Sequence, residues 1–229
     1  INRDSLLSFV NVEIGRFHQS RLATLQSLTL SKVLQRKNPY LFRAKNITTA
    51  SDLITALMDA LLSSSEEKIF GDFLENLAVH VSSQACGGRK SSAEGIDLEF
   101  DRDNTRYMVS IKSGPNWGNS SQHRALEEAF RRAVAVQRQG HHGLRPQPVL
   151  GICYGRQATK DNGIYVRYTG QTFWHFLTGD KDFYLDIIEP IGTDARRYND
   201  DFVGQKARLV NRFADEFMGD FCTPEYCID

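Results

Sequence analysis

Gly95-Ile96-Asp97-Leu98-Glu99-Phe100-Asp101, followed shortly by Tyr107-Met108-Val109-Ser110-Ile111-Lys112, decides how this chain folds. In the first run Ile, Leu and Phe alternate with Asp, Glu and Asp, and Arg102-Asp103-Asn104 between the runs is a turn. The pair predicts a β-hairpin. Side chains two apart share a strand face, so Asp97, Glu99 and Asp101 point one way while Ile96, Leu98 and Phe100 enter the core. On the second strand Tyr107, Val109 and Ile111 are the apolar face, with Ser110 and Lys112 opposite. Pairing these strands lets Asp97 and Lys112 meet on one face. A carboxylate and an ammonium held together suit phosphodiester hydrolysis: the carboxylate holds a hard cation through oxygen, and the lysine orients or activates a water. The same spacing also describes two solvated strand faces joined by a cross-strand ion pair.

Working outward, the period changes from two to 3.6. Leu6, Leu7, Val10, Ile14 and Phe17 mark one helix, and a second amphipathic pattern runs from Leu22 to Leu34. Asn38-Pro39 breaks it. Thr49-Ala50-Ser51-Asp52 reads as the cap of a helix ending at Leu62, and Ser63-Ser64-Ser65 as the cap of another carrying Phe70, Phe73, Leu74, Leu77 and Val81. Beyond the hairpin come a Gly/Pro/Asn loop, a helix over 122–139, a buried strand over 148–154 and a strand over 164–168. Helices over 171–178 and 207–218 follow. This order predicts an α/β protein: a mixed β-sheet flanked by helices, with a helical N-terminal subdomain. The expected divisions are 1–65 (dimerisation or DNA arm), 66–193 (core) and 194–229 (helical tail).

Among 229 residues, 41% are hydrophobic and 24% charged, a composition that excludes disorder as the main state and supports one full core. No run approaches a membrane-spanning length, no signal segment opens the chain, and four Cys suit a reducing cytoplasm. The net charge is zero, but residues 102–170 carry +7 and the preceding 61–101 carry −5. That contrast fits a phosphate-binding surface beside a cation site, and equally fits scattered surface charge.

The motif Gly95-Ile96-Asp97-Leu98-Glu99-Phe100 with Ser110-Ile111-Lys112-Ser113-Gly114 resembles that of the PD-(D/E)XK nuclease superfamily. Three other stretches look like type II restriction endonucleases: Pro115-Asn116-Trp117-Gly118-Asn119-Ser120-Ser121-Gln122, Lys37 to Asn46, and Gly170 to Leu177. The resemblance implies a restriction-endonuclease-like fold and hydrolysis of double-stranded DNA at a short specific sequence. It implies Mg²⁺, with Mn²⁺ as substitute, a homodimer joined through the N-terminal helices, and a cytoplasmic enzyme. It also implies that Asp97 binds the metal, that the Ile111 carbonyl is a further ligand and that Lys112 is catalytic. Asp97→Ala or Lys112→Ala is then expected to abolish cleavage and leave the fold intact.

The chain departs from the pattern at Ser110, where the resemblance implies a carboxylate; a hydroxyl cannot supply that charge. Glu127, on the helix after the hairpin, borders its apolar face and is the preferred substitute for metal binding and catalysis. Its alternative is an i,i+4 pair with Arg131. Glu99, sharing the strand face of Asp97, and Glu75, a helical acid lying opposite its apolar stripe, are secondary candidates. Asn116, Trp117, Asn119, Ser120 and Arg124 after the catalytic strand, with Arg156, Lys160 and Arg167 further on, are the expected DNA contacts.

Other signals are weaker. The loop from Gly114 lacks the spacing and lysine of a phosphate loop. Cys222 and Cys227 have no second pair to complete a zinc site, Cys153 reads as core, and His141-His142 read as helix-end residues. Two rivals stand beside the restriction enzyme: a structure-specific repair or resolving nuclease on the same core, and a DNA-binding module without catalysis.

Overall fold

A computed structural model of the chain describes residues 1–35, 38–140, 143–192 and 195–223. Its helices are α1 (Arg3–Gln26), α2 (Leu30–Gln35), α3 (Pro39–Ala44), α4 (Ala50–Cys86), α5 (Ser120–Gln139), α6 (Gln171–Thr178), α7 (Phe183–Asp186), α8 (Ile188–Gly192) and α9 (Ala195–Phe221). The strands β1 (Arg89–Lys90), β2 (Leu98–Arg102), β3 (Thr105–Lys112), β4 (Arg145–Ile152), β5 (Lys160–Asp161) and β6 (Val166–Thr169) form one sheet in the order β1-β2-β3-β4-β6-β5.

The predicted hairpin is β2–β3, antiparallel, with Leu98 opposite Val109 and Phe100 opposite Tyr107. Asp103 and Asn104 join the strands with φ of 49° and 58°. Asp and Asn tolerate that left-handed conformation, which matches the strand twist in a two-residue hairpin. β3 then pairs parallel with β4, and β4 parallel with β6. Parallel neighbours need a crossover, which α5 provides between β3 and β4. The sheet is therefore mixed and flanked by helices, as the order of elements predicts.

Two compact units are present: residues 1–14 with 70–192, and residues 15–69 with 193–229. The first holds the sheet. One of its faces packs Leu98, Phe100, Val109 and Ile111 against Leu6, Val10, Phe73, Leu77 and Trp174. The other packs Met108, Leu150 and Ile152 against Leu126, Phe130 and Ala133 of α5. The second unit is helical, with Leu25, Val33, Ile54, Met58, Phe202, Phe213 and Phe217 in its core. These divisions are cut differently from the expected 1–65, 66–193 and 194–229: residues 1–14 join the sheet, and α9 joins the helical unit. No helix among the described residues is long and apolar enough to cross a membrane.

Helix boundaries depart from expectation in several places, and α9 begins at Ala195 instead of 207. α1 runs through to Gln26, and α4 is continuous across Ser63-Ser64-Ser65. Serine stops a helix only when its hydroxyl competes for the backbone. Here the Ser64 hydroxyl donates to the Ala60 carbonyl one turn back, at 3.0 Å, and the helix continues. Thr49 caps α4 as expected, its hydroxyl accepting from the Asp52 amide at 3.1 Å.

Candidate active site

Asp97 stands one residue before β2. Its amide donates at 2.9 Å to the carbonyl of Val109, the residue that also stands opposite Leu98. Its Oδ2 accepts from the Ile111 amide at 2.6 Å and from the Ser110 hydroxyl at 3.3 Å. The Ile111 amide is thus spent on orienting this carboxylate. Ser110, 1% exposed, occupies the implied position of a second acid and serves as a donor to the first.

Lys112 ends β3, and its Nζ lies 5.5 Å from the centre of the Trp117 ring. The ring face attracts an ammonium and narrows its range. Trp117 is half-buried and also packs on His123, with ring centres 4.3 Å apart. Among the described residues Asp97 and Lys112 form no direct ion pair; they share an electrostatic neighbourhood. The group that reports it is Glu75 on α4. Burial raises the pKa of Glu75, the Asp97 carboxylate raises it further, and Lys90 and Lys112 oppose the shift. Lys90 Nζ is 3.6 Å from Glu75 Oε1. α4 passes close by: a Cβ placed on Gly71 would lie 3.7 Å from Ser113 Cβ. Cys153, fully buried, has its thiol pushed far up by burial, with Glu75 and Asp97 adding and Lys112 subtracting. Four side chains from α4, the start of β2, the end of β3 and the residue after β4 therefore feel one another.

The other acids are engaged elsewhere. Glu127 accepts from Arg131 at 3.4 Å, the i,i+4 pair that its spacing allows. Glu99 accepts from the Ser91 hydroxyl at 2.5 Å and lies 3.5 Å from Arg89, tied to the β1 edge. Asn119 caps α5: its side chain accepts from the Ser121 and Gln122 amides, and Gln122 reaches back to the Asn119 amide. Asn116, Ser120, Arg124, Arg156 and Lys160 are exposed. Arg167 donates to the Ala158 carbonyl at 3.3 Å. The sequence reading missed Lys90, whose signal is only a basic pair after Gly87-Gly88. His141, His142, Lys37 and Cys227 lie outside the described residues.

The donors gathered here are oxygens. Among the described residues no three His, Cys, Asp or Glu side chains are placed to hold a metal ion together. Two carboxylates, of which Asp97 raises the proton affinity of Glu75, nevertheless suit a hard cation that keeps water and takes substrate oxygens as its remaining ligands.

No individual curated protein matches the chain. The family model described as Type II restriction endonuclease EcoO109I matches residues 4–199, most of the sequence and all of the sheet. The chain belongs to the EcoO109I family of type II restriction endonucleases, nucleases that act on the phosphodiester bonds of DNA.

Proposed function

We propose that this protein is a Mg²⁺-dependent enzyme that cuts both strands of duplex DNA at a short specific sequence, with Mn²⁺ as a substitute. The observation that carries the reading is the Asp97 carboxylate held by the Ile111 amide at 2.6 Å, one residue before Lys112, in a chain of this family. Asp97, the Ile111 carbonyl and Glu75 would hold the ion. Glu75 takes the role first given to Glu127, because Glu75 feels Asp97 and Lys112 whereas Glu127 is held by Arg131. Bound there, Mg²⁺ would polarise a phosphate oxygen and a water.

The protein's own groups do the rest. The Ile111 amide fixes the Asp97 carboxylate in advance, so no reorganisation is needed as charge develops. Lys112, restrained by Trp117, orients the attacking water and stabilises negative charge on the phosphate. Asn116, Ser120 and Arg124 are exposed after the catalytic strand and free to meet DNA. Cutting two antiparallel strands calls for two such sites, hence a homodimer formed through the helical unit. The expected place of action is the cytoplasm.

The test is incubation with a long sequenced duplex, with Mg²⁺ and then with EDTA. Discrete fragments that vanish in EDTA support the proposal. Cleavage confined to branched or mismatched duplex replaces it with a structure-specific nuclease. Binding without hydrolysis in either metal replaces it with a catalytically silent DNA-binding module.

A further inference from the structure

α4 ends at Cys86, and the two glycines after it turn the chain back along the same helix. Gly87 takes a φ of 67°, and the Gly88 amide donates to the Ser82 carbonyl at 3.0 Å. A Cβ at Gly88 would stand 2.6 Å from Ser82 Cβ and 3.1 Å from Leu98 Cδ1, so only glycine lets the chain pass this close to α4. β1 then forms the edge of the sheet, with Arg89 opposite Glu99 and Lys90 opposite Leu98. The Ser91 amide donates to the Asp97 carbonyl at 3.2 Å, which ties this edge to the strand that carries Asp97.

Alternation sends the two basic side chains of β1 to opposite faces. Arg89 meets Glu99 at 3.5 Å. Lys90 takes the face of Leu98, which packs on Phe73 and Leu77 of α4, and its Nζ lies 3.6 Å from Glu75 Oε1. The Gly87-Gly88 turn thus brings Lys90 back to an acid of the helix it has just left.

This pair is not a buried structural bridge. The Lys90 side chain is 70% exposed, and an ion pair at that exposure contributes little to stability. Its effect is on the charge of the site. Burial and the Asp97 carboxylate oppose ionisation of Glu75, with Asp72 adding least, and Lys90 counters them more than Lys112 does. Glu75 and Asp97 are thereby balanced by two ammonium groups. A divalent cation at Glu75 would repel an ammonium so close to it and take over the charge that held it. An ammonium on a flexible stem at an exposed sheet edge can then pair with a phosphate.

We propose that Lys90 holds Glu75 before the cation binds and exchanges it for a phosphate of the DNA backbone once cation and DNA are in place. Lys90 is a DNA-binding residue whose release is coupled to metal loading, and it does not touch the reacting atoms. The proposal rests on the nuclease reading with Glu75 as a ligand.

The experiment uses full-length protein. Mn²⁺ affinity is read by electron paramagnetic resonance without DNA, and binding of a short duplex is measured over a range of salt with Ca²⁺ replacing Mg²⁺. The variants are Lys90→Met, Lys90→Arg, Glu75→Gln and Arg89→Met, the last losing the same charge one residue away. Lys90→Met should bind Mn²⁺ severalfold more tightly than wild type and Arg89→Met. It should also lower the salt slope of duplex binding by about one counterion equivalent, and Lys90→Arg should keep that slope. Equal Mn²⁺ affinity in Lys90→Met and Arg89→Met is the result of a merely superficial ion pair and overturns the proposal. Tighter Mn²⁺ binding with an unchanged slope in Lys90→Met also overturns it, because Lys90 then never reaches DNA. Wild-type Mn²⁺ affinity in Glu75→Gln overturns it and leaves the Asp97 and Lys112 assignments standing. Failure of the wild type to bind either Mn²⁺ or duplex refutes the nuclease reading beneath it.

Discussion

Replacing Asp97 by Ala and by Asn separates two roles that this carboxylate combines. Its Oδ2 accepts from the Ile111 amide at 2.6 Å, and Ile111 is 5% exposed. Alanine leaves that amide without its protein partner. A hydrogen bond to a charged group contributes about 1.5–3 kcal/mol, and the longer Ser110 contact adds little. For a unit of this size the loss lowers the melting temperature by roughly 5–12 °C. Asparagine keeps an acceptor oxygen and should lose less than half as much. Both variants forfeit the charge that would hold the cation, and several kcal/mol of lost stabilisation is on the order of a thousandfold in rate. Thermal melts with and without Mg²⁺, beside single-turnover cleavage, read both quantities. The expectation from sequence alone, that Asp97→Ala leaves the fold untouched, changes here into a measurable destabilisation. An Ala variant that melts with the wild type would refute the structural half of this reasoning. An Asn variant that cleaves normally would refute the chemical half.

Three further outcomes are expected. Because burial and Asp97 raise the pKa of Glu75, the unfolded chain ionises first as pH rises, so stability falls through the window above the ordinary glutamate range. Glu75→Gln should therefore melt higher than wild type at neutral pH, match it in acid, and lose cleavage; equal melting curves at both pH values would contradict the assignment. Glu127→Gln should keep cleavage and cost under about 0.5 kcal/mol, the scale of an exposed i,i+4 pair, as read by denaturant titration. Cys153, buried and with its thiol pushed up, should resist iodoacetamide in the native protein and react only after unfolding, as followed by mass spectrometry.

The hairpin was legible because two strands and a tight turn are local: alternation and an Asp-Asn turn carry the register without help from distant residues. The position of the proposed second acid, Glu75, was not legible locally. A helical wheel sets Glu75 opposite the apolar stripe, yet its side chain is 28% exposed because the β2–β3 edge lies beside it. Glu127 looked well placed on its own helix, and only the folded arrangement shows its carboxylate turned to Arg131. Asn119 illustrates the same limit: an amide after a catalytic strand reads as a DNA contact, but its oxygen is occupied by capping α5. The continuous α4 was missed because a serine run is ambiguous until its hydroxyls find acceptors.

Each of the two units is assembled from separated pieces of chain, residues 1–14 with 70–192 and residues 15–69 with 193–229. During synthesis, Leu6 and Val10 leave the ribosome long before Trp174, with which they share a core, so the sheet unit cannot close until Trp174 has emerged. The helical unit waits longer still, for Phe213 and Phe217. Asp97 and Lys112 thus emerge before the residues that complete the core beneath them. A chain terminated between Lys112 and Trp174 would carry both residues and lack part of both cores.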